Sequence, residues 1–155
     1  MSGAGIADGE IVLTRTFEAP RELVFRAWTD AEILMKWLCP KDFVVTFVDI
    51  DLREGGAWRS GMRSPEGQDF VMRGSYRVVK EPEMLVLTHS WEDDLEPGHL
   101  PGYETLITVI LSEVGDKTQM TFHVTGLTSY ESRDGQKGGW SQAFDNLASA
   151  LDGEV

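Results

Sequence analysis

Histidine, cysteine and clustered acids are the side chains that most often carry chemistry, and in this 155-residue chain they are few and poorly spaced for it. His89, His99 and His123 form neither an H-x-H nor an H-E-x-x-H pattern, so no zinc-ligand set can be read from them. Cys39 stands beside Pro40 with no histidine near it in sequence to take its proton, which argues against a thiolate nucleophile. Glu92, Asp93, Asp94 and Glu96 could hold a cation weakly, yet an acidic run of this kind is ordinarily a solvated loop. Gly135-Gln136-Lys137-Gly138-Gly139 lacks the spacing of a phosphate-binding loop and follows no strand. No G-x-S-x-G elbow is present. The expectation is a chain without a catalytic motif, a dedicated metal site or a cofactor.

What does stand out is a set of bulky apolar residues: Trp58, Met62, Phe70, Met72, Trp91, Phe122, Trp140 and Phe144. Strand and helix parity puts all of them on inner faces, where they either fill a solid core or line a cavity; parity fits both. His89 shares the parity of Leu85, Leu87 and Trp91, as the polar group of a pocket or as a hydrogen-bonded core histidine.

The elements that must position this set can be read from two periods. Over Tyr130–Val155, Trp140, Ala143, Phe144, Leu147, Ala148 and Leu151 recur at three- and four-residue steps, the stripe of an amphipathic helix. Ser141, Gln142, Asp145, Asn146, Ser149 and Asp152 form its polar face. Gly135, Gly138 and Gly139 are poor helix formers and suggest a late start, a kink or a close approach to the sheet. Upstream, a strand over 10–18 leads to Ala19-Pro20, which opens a helix with proline at its first position and Val24, Ala27 and Trp28 on its buried face. Thr29-Asp30-Ala31-Glu32 has capping-box spacing, with Thr29 as the cap of a second short helix that ends at Leu38.

From Phe43 the period becomes two. Val44, Val48, Ile50 and Leu52 are assigned to the core side, with Asp51 nearly opposite Arg59 across a Gly55-Gly56 hairpin. Trp58, Ser60 and Met62 face inward on the next strand, then Phe70, Met72, Gly74, Tyr76 and Val78, with Gly74 leaving space inside. Met84–Trp91 is apolar on both parities, Ile107, Val109 and Leu111 face the core on the sixth strand, and Met120, Phe122 and Val124 on the seventh. The fold class is α+β: a curved seven-stranded antiparallel sheet wrapped around a long C-terminal helix, with two short helices between strands 1 and 2.

Composition narrows the partners. A net charge of −12 opposes any polyanion, so no nucleic acid is expected. No apolar run approaches the roughly 20 residues of a spanning helix, so no membrane partner is expected either. Residues 1–9 read as a disordered leader without the basic and apolar regions of a secretion signal, ahead of a single domain over 10–155. With one cysteine, the expected location is cytoplasmic.

One combination of residues resembles a known family. Arg15-x-Phe17-x-Ala19-Pro20, Val24-Phe25-x-x-Trp28-Thr29-Asp30, Trp37-x-x-Pro40, Asp51-x-Arg53-x-Gly55-Gly56-x-Trp58, Gly74-x-Tyr76, Thr88 and Gly139-Trp140 occur in the order found in homologues of the activator of heat-shock protein 90 ATPase. That family lies in the START-like (SRPBCC) superfamily, with the helix-grip fold of the birch-pollen allergen. Ala31 and Cys39 depart from its usual proline and glycine. The resemblance implies binding of a small hydrophobic molecule between sheet and helix, with Trp37, Trp58, Met72, Trp91 and Trp140 as pocket positions. Inner-face parity adds Met62, His89, Phe122 and Phe144 as candidate ligand-binding residues. Two other classes stay open: an interaction module regulating a chaperone ATPase, and a cyclase or hydrolase using His89, Glu104 or Tyr76. As an assembly, a monomer or a homodimer is expected.

Overall fold

The computed structural model describes residues 10–92, 104–127 and 130–154. The leader at 1–9, His99, and the acids Asp93, Asp94 and Glu96 lie outside the described residues. Seven strands are present among them: β1 (Ile11–Phe17), β2 (Val44–Ile50), β3 (Ala57–Arg63), β4 (Asp69–Lys80), β5 (Met84–Trp91), β6 (Thr105–Val114) and β7 (Lys117–Thr125). They form one antiparallel sheet in the order β1-β7-β6-β5-β4-β3-β2. The first two strands therefore occupy opposite edges, and the chain between them must cross the sheet. It does so as α1 (Arg21–Thr29), which packs by β6 and β7, and α2 (Ala31–Trp37), which packs by β2. The C-terminal α3 (Tyr130–Glu154) lies against α1, α2 and β1.

Both short helices differ at their starts from the sequence expectation. Pro20 is the residue before α1, in extended conformation, and its carbonyl accepts from Leu23 and Val24. Asp30, not Thr29, caps α2: its carboxylate accepts from the Glu32 and Ile33 amides, while the Thr29 hydroxyl donates back to the Phe25 carbonyl. A carboxylate at that position satisfies two orphan donors and suits the positive end of the helix.

Two β-bulges change strand parity. The β2–β3 register shifts between Val45 and Phe47, so Val44 is 57% exposed and Val45 packs on the core with Val48 and Ile50. The β4–β5 register shifts between Tyr76 and Val78, and Val79 replaces Val78 as the core contact. One extra residue in a strand is enough to exchange its faces. Leu52 lies beyond β2 and is exposed.

The family-like motif residues turn out to be a structural lock. Gly55, at φ 85°, donates its N–H to the Tyr76 carbonyl at 2.8 Å, and Tyr76 N–H returns to the Gly56 carbonyl at 2.9 Å. Two strands further on, the Trp58 indole Nε1–H donates to the Thr88 carbonyl at 3.0 Å, and the Thr88 hydroxyl accepts the Ser75 N–H at 2.8 Å. A Cβ at Gly74 would run into the Thr88 carbonyl and come within 2.6 Å of Trp58 Nε1. Gly74 is thus a point of close backbone approach, not open space inside the sheet.

On the outer face, residues 52–56 form a longer connection than a two-residue turn. Asp49 consequently faces Arg59, and Asp51 pairs with Arg53 at 2.9 Å. Arg59 sits beside Arg73 and is neutralised by a bidentate bond to Glu92 at 2.7 and 3.0 Å. Donation from Arg59, aided by the charge of Arg73, holds the Glu92 carboxyl below its usual range.

Helix α3 runs unbroken through its glycines. Trp140, Ala143, Phe144, Leu147 and Leu151 are buried against the sheet. Its polar face is not simply solvated: Asp145 takes Arg15 of β1 at 2.6 Å and Lys41 at 3.1 Å, Gln142 accepts from the Lys41 amide, and Asn146 donates to the Cys39 carbonyl.

Trp58→Phe keeps an aromatic side chain but loses the indole N–H, leaving the buried Thr88 carbonyl without that donor, so it should cost about 1–3 kcal/mol. Gly74→Ala forces β4 and β5 apart and should cost about 1–3 kcal/mol. Chemical denaturation midpoints measure both, and unchanged midpoints would remove the lock from the account.

Candidate functional site

The space between sheet and α3 is filled at one end and open at the other. At the filled end Trp28, Trp37, Phe122, Trp140 and Phe144 interlock, with centroids 4.8 Å apart for Phe122–Trp140, 4.9 Å for Trp28–Trp37 and 5.0 Å for Phe122–Phe144. Following the helical stripe from Leu151 through Leu147, Phe144 and Trp140 one turn further brings Gln136, Gly139 and Gly135. Bulk runs out there. The result is a cavity of about 260 Å³.

Its floor is Met62 on β3, Phe70 and Met72 on β4, and His89 and Trp91 on β5. Above it lie Gly135, Gln136, Gly139, Trp140 and Ala143 of α3, and the connection after α2 closes one side with Leu38, Cys39, Pro40 and Phe43. Gly139 meets no part of the sheet, since a Cβ there would touch only Pro40, at 3.7 Å. Neither the late start nor the close approach to the sheet that its glycines suggested is found.

Five of the expected positions, Met62, Met72, His89, Trp91 and Trp140, are brought together on this wall. Four are not. Trp37 is fully buried and donates its indole N–H to the Ala27 carbonyl at 2.9 Å; Phe122 and Phe144 belong to the aromatic stack; Trp58 is tied to Thr88. Among residues not singled out for the site, Phe70 was legible from its parity with Met72, and Gln136 from its four-residue step to Trp140. Leu38, Cys39, Pro40 and Phe43 reach the cavity only through tertiary packing.

His89 and Cys39 at the cavity are held rather than exposed. His89 is 1% exposed, with Nε2 at 3.3 Å from the Met72 sulfur and its ring edge-on to Trp91 at 5.3 Å. Burial pushes the Cys39 thiol up, which keeps it protonated, and its sulfur lies 3.4 Å from the Phe43 carbonyl. Tyr76 is buried on the other side of Trp58, and burial pushes its phenol up to about 12. Glu104 is exposed and lies along the outer face near Arg59 and Arg73. Among the described residues, no three His, Cys, Asp or Glu side chains stand close enough to hold a metal ion, and no helix is long and apolar enough to cross a membrane.

A sheet of this order closed on a long C-terminal helix, with a cavity between them, defines a helix-grip domain of the START-like class. Residues 18–152 match the sequence profile of the family described as activator of Hsp90 ATPase homolog 1-like protein, and the chain belongs to that family. Solved structures agree. The AHSA1 protein of Silicibacter pomeroyi is 26% identical, with a TM-score of 0.83 over 94% of this chain and 99% of that one. A protein of Chromobacterium violaceum is 27% identical, with a TM-score of 0.82 over 92% and 96%. No functionally curated protein matches the sequence.

Because the Tyr76 phenol is raised above its unfolded value near 10, its contribution to stability is complete below that pH and is lost as pH rises through about 12. Stability should therefore fall between pH 10 and 12 more steeply in the native chain than in Tyr76→Phe. Chemical denaturation across that range checks it, and equal slopes would place Tyr76 in a more solvated setting.

Proposed function

We propose that the chain binds a small hydrophobic molecule in the cavity beneath the first half of α3. The observation that carries this reading is the wall itself: Met62, Phe70, Met72, Trp91 and Trp140 around about 260 Å³ that the chain's own side chains do not fill. An engineered apolar cavity of about 150 Å³ holds benzene in another protein, so by proportion this one suits a ligand of about ten non-hydrogen atoms. Two methionines in the floor give it an adaptable surface, which favours tolerance of ligand shape.

The family description favours a second reading, an interaction module acting on a chaperone ATPase through an outer surface. The two are separable with one variant. Gly139→Leu places a side chain where only Pro40 is near and replaces a weak helix former, so helix stability should rise by up to about 1 kcal/mol while ligand space shrinks.

Naphthalene, with its ten carbons, should bind the native chain saturably in calorimetry and shift the tryptophan emission through Trp91 and Trp140. Gly139→Leu should weaken that binding at least about tenfold without lowering the melting temperature. Absence of saturable binding to the native chain would overturn the cavity reading. Equal stimulation of a chaperone ATPase by native chain and variant would assign that activity to a surface outside the cavity.

A further inference from the structure

Four buried side-chain atoms among the described residues have no hydrogen-bond partner: Arg21 Nε, Trp28 Nε1, Trp91 Nε1 and Gln136 Oε1. The last two come from different elements, β5 and α3, yet both residues line the same cavity. Gln136 is only 7% exposed. Buried polar groups in folded proteins are nearly always paired, so a donor and an acceptor left unpaired on residues that line one cavity call for a partner that is not part of the chain. The other polar atoms nearby are already engaged, His89 Nε2 against the Met72 sulfur and the Cys39 sulfur against the Phe43 carbonyl.

We infer that the cavity selects a neutral amphipathic molecule whose polar end both accepts a hydrogen bond, from Trp91 Nε1–H, and donates one, to Gln136 Oε1. This rests on the ligand-binding reading above and names the ligand class for the same site. A hydroxyl is the smallest group that meets both demands from a single atom. An ether or ketone satisfies Trp91 and leaves Gln136 unpaired, and an amine in its neutral state, a good acceptor but a weak donor, meets the Trp91 demand better than the Gln136 one. A carboxylate has no proton for Gln136 and finds no lysine or arginine among the described residues of the wall to offset its desolvation. The rest of the ligand is apolar, because the remaining wall is Met62, Phe70, Met72, Trp140 and the aliphatic turn after α2.

Three compounds of matched size test this by calorimetry on the full chain: para-propylphenol, para-propylanisole and para-propyltoluene. Burial alone favours the hydrocarbon, so any preference for the phenol must come from hydrogen bonds. The native chain should bind the phenol about tenfold or more tightly than propyltoluene, with the anisole weaker than the phenol. Trp91→Phe and Gln136→Leu should each shrink the phenol-to-toluene ratio at least about threefold. The second variant removes the acceptor from a helix and guards against misfolding of the first; circular dichroism confirms that both are folded. Equal binding of phenol and propyltoluene, or a ratio untouched by both substitutions, would overturn this inference and leave the cavity reading standing. Failure of all three compounds to bind would overturn the cavity reading itself.

Discussion

One contact sets the conditions for the others: the burial of a single helical stripe, Trp140 to Leu151, against the inner face of a sheet whose two edge strands come from the start of the chain. Each large side chain buried in this way contributes about 1.5–3 kcal/mol, so Trp140, Phe144, Leu147 and Leu151 together outweigh any single polar contact in the fold. The sheet cannot present its inner face to water, and α1 and α2 cover only part of it. The bulk that α3 carries, turn by turn, decides where the interior is solid and where it is open.

Polar contacts then fix how the helix lies. Asp145 receives both Arg15 from the β1 edge and Lys41 from the connection after α2, and Asn146 holds the Cys39 carbonyl. Donation from Arg15, then Lys41, keeps the Asp145 carboxyl below its usual range, so the clamp persists at ordinary pH. The segment that anchors the helix, Cys39 to Lys41, is also part of the cavity wall through Cys39 and Pro40. Helix placement and cavity shape are therefore coupled through the same few residues, and movement of one must move the other.

Local periodicity carried most of the architecture. Seven strands, two short helices and the long one follow from periods of 2 and 3.6, because each is set by residues close together in sequence. The failures share a physical cause. A bulge at Thr46 or Arg77 adds one residue without any compositional mark, and it reversed the expected facing of Val44 and Val78. The 52–56 connection moved the Asp–Arg register because loop length, unlike parity, is not encoded by the flanking strands. For the site, parity found the residues facing inward but not their position along the helix axis. Met72 and Phe122 look alike in sequence terms; one lines the cavity, the other is packed against Trp140 and Phe144. Gln142, Asp145 and Asn146 resembled a solvated face because polar contacts to backbone and to β1 leave no periodic trace.

The same stretch of α3 concentrates four residues that stability alone would not choose. Gly135, Gly138 and Gly139 each cost the helix about 1 kcal/mol relative to alanine. Gln136 holds a buried carbonyl oxygen without a partner, the Trp91 N–H is equally unpaired, and both residues line the cavity. An alanine at Gly138 or Gly139 would repair the local defect, since Gly138 has open space around it and a Cβ at Gly139 would touch only Pro40. Consistent local choices mark the rest of the chain, from the Asp30 cap to the Gly74 approach, where each unusual residue answers a geometric demand. Where several such rules are broken together, with no structural demand to explain them, a demand from outside the chain is the economical account. A turn that leaves space beside Gly135 and Gly139, with an unpaired donor and acceptor on residues lining the same cavity, is what the ligand-binding proposal rests on.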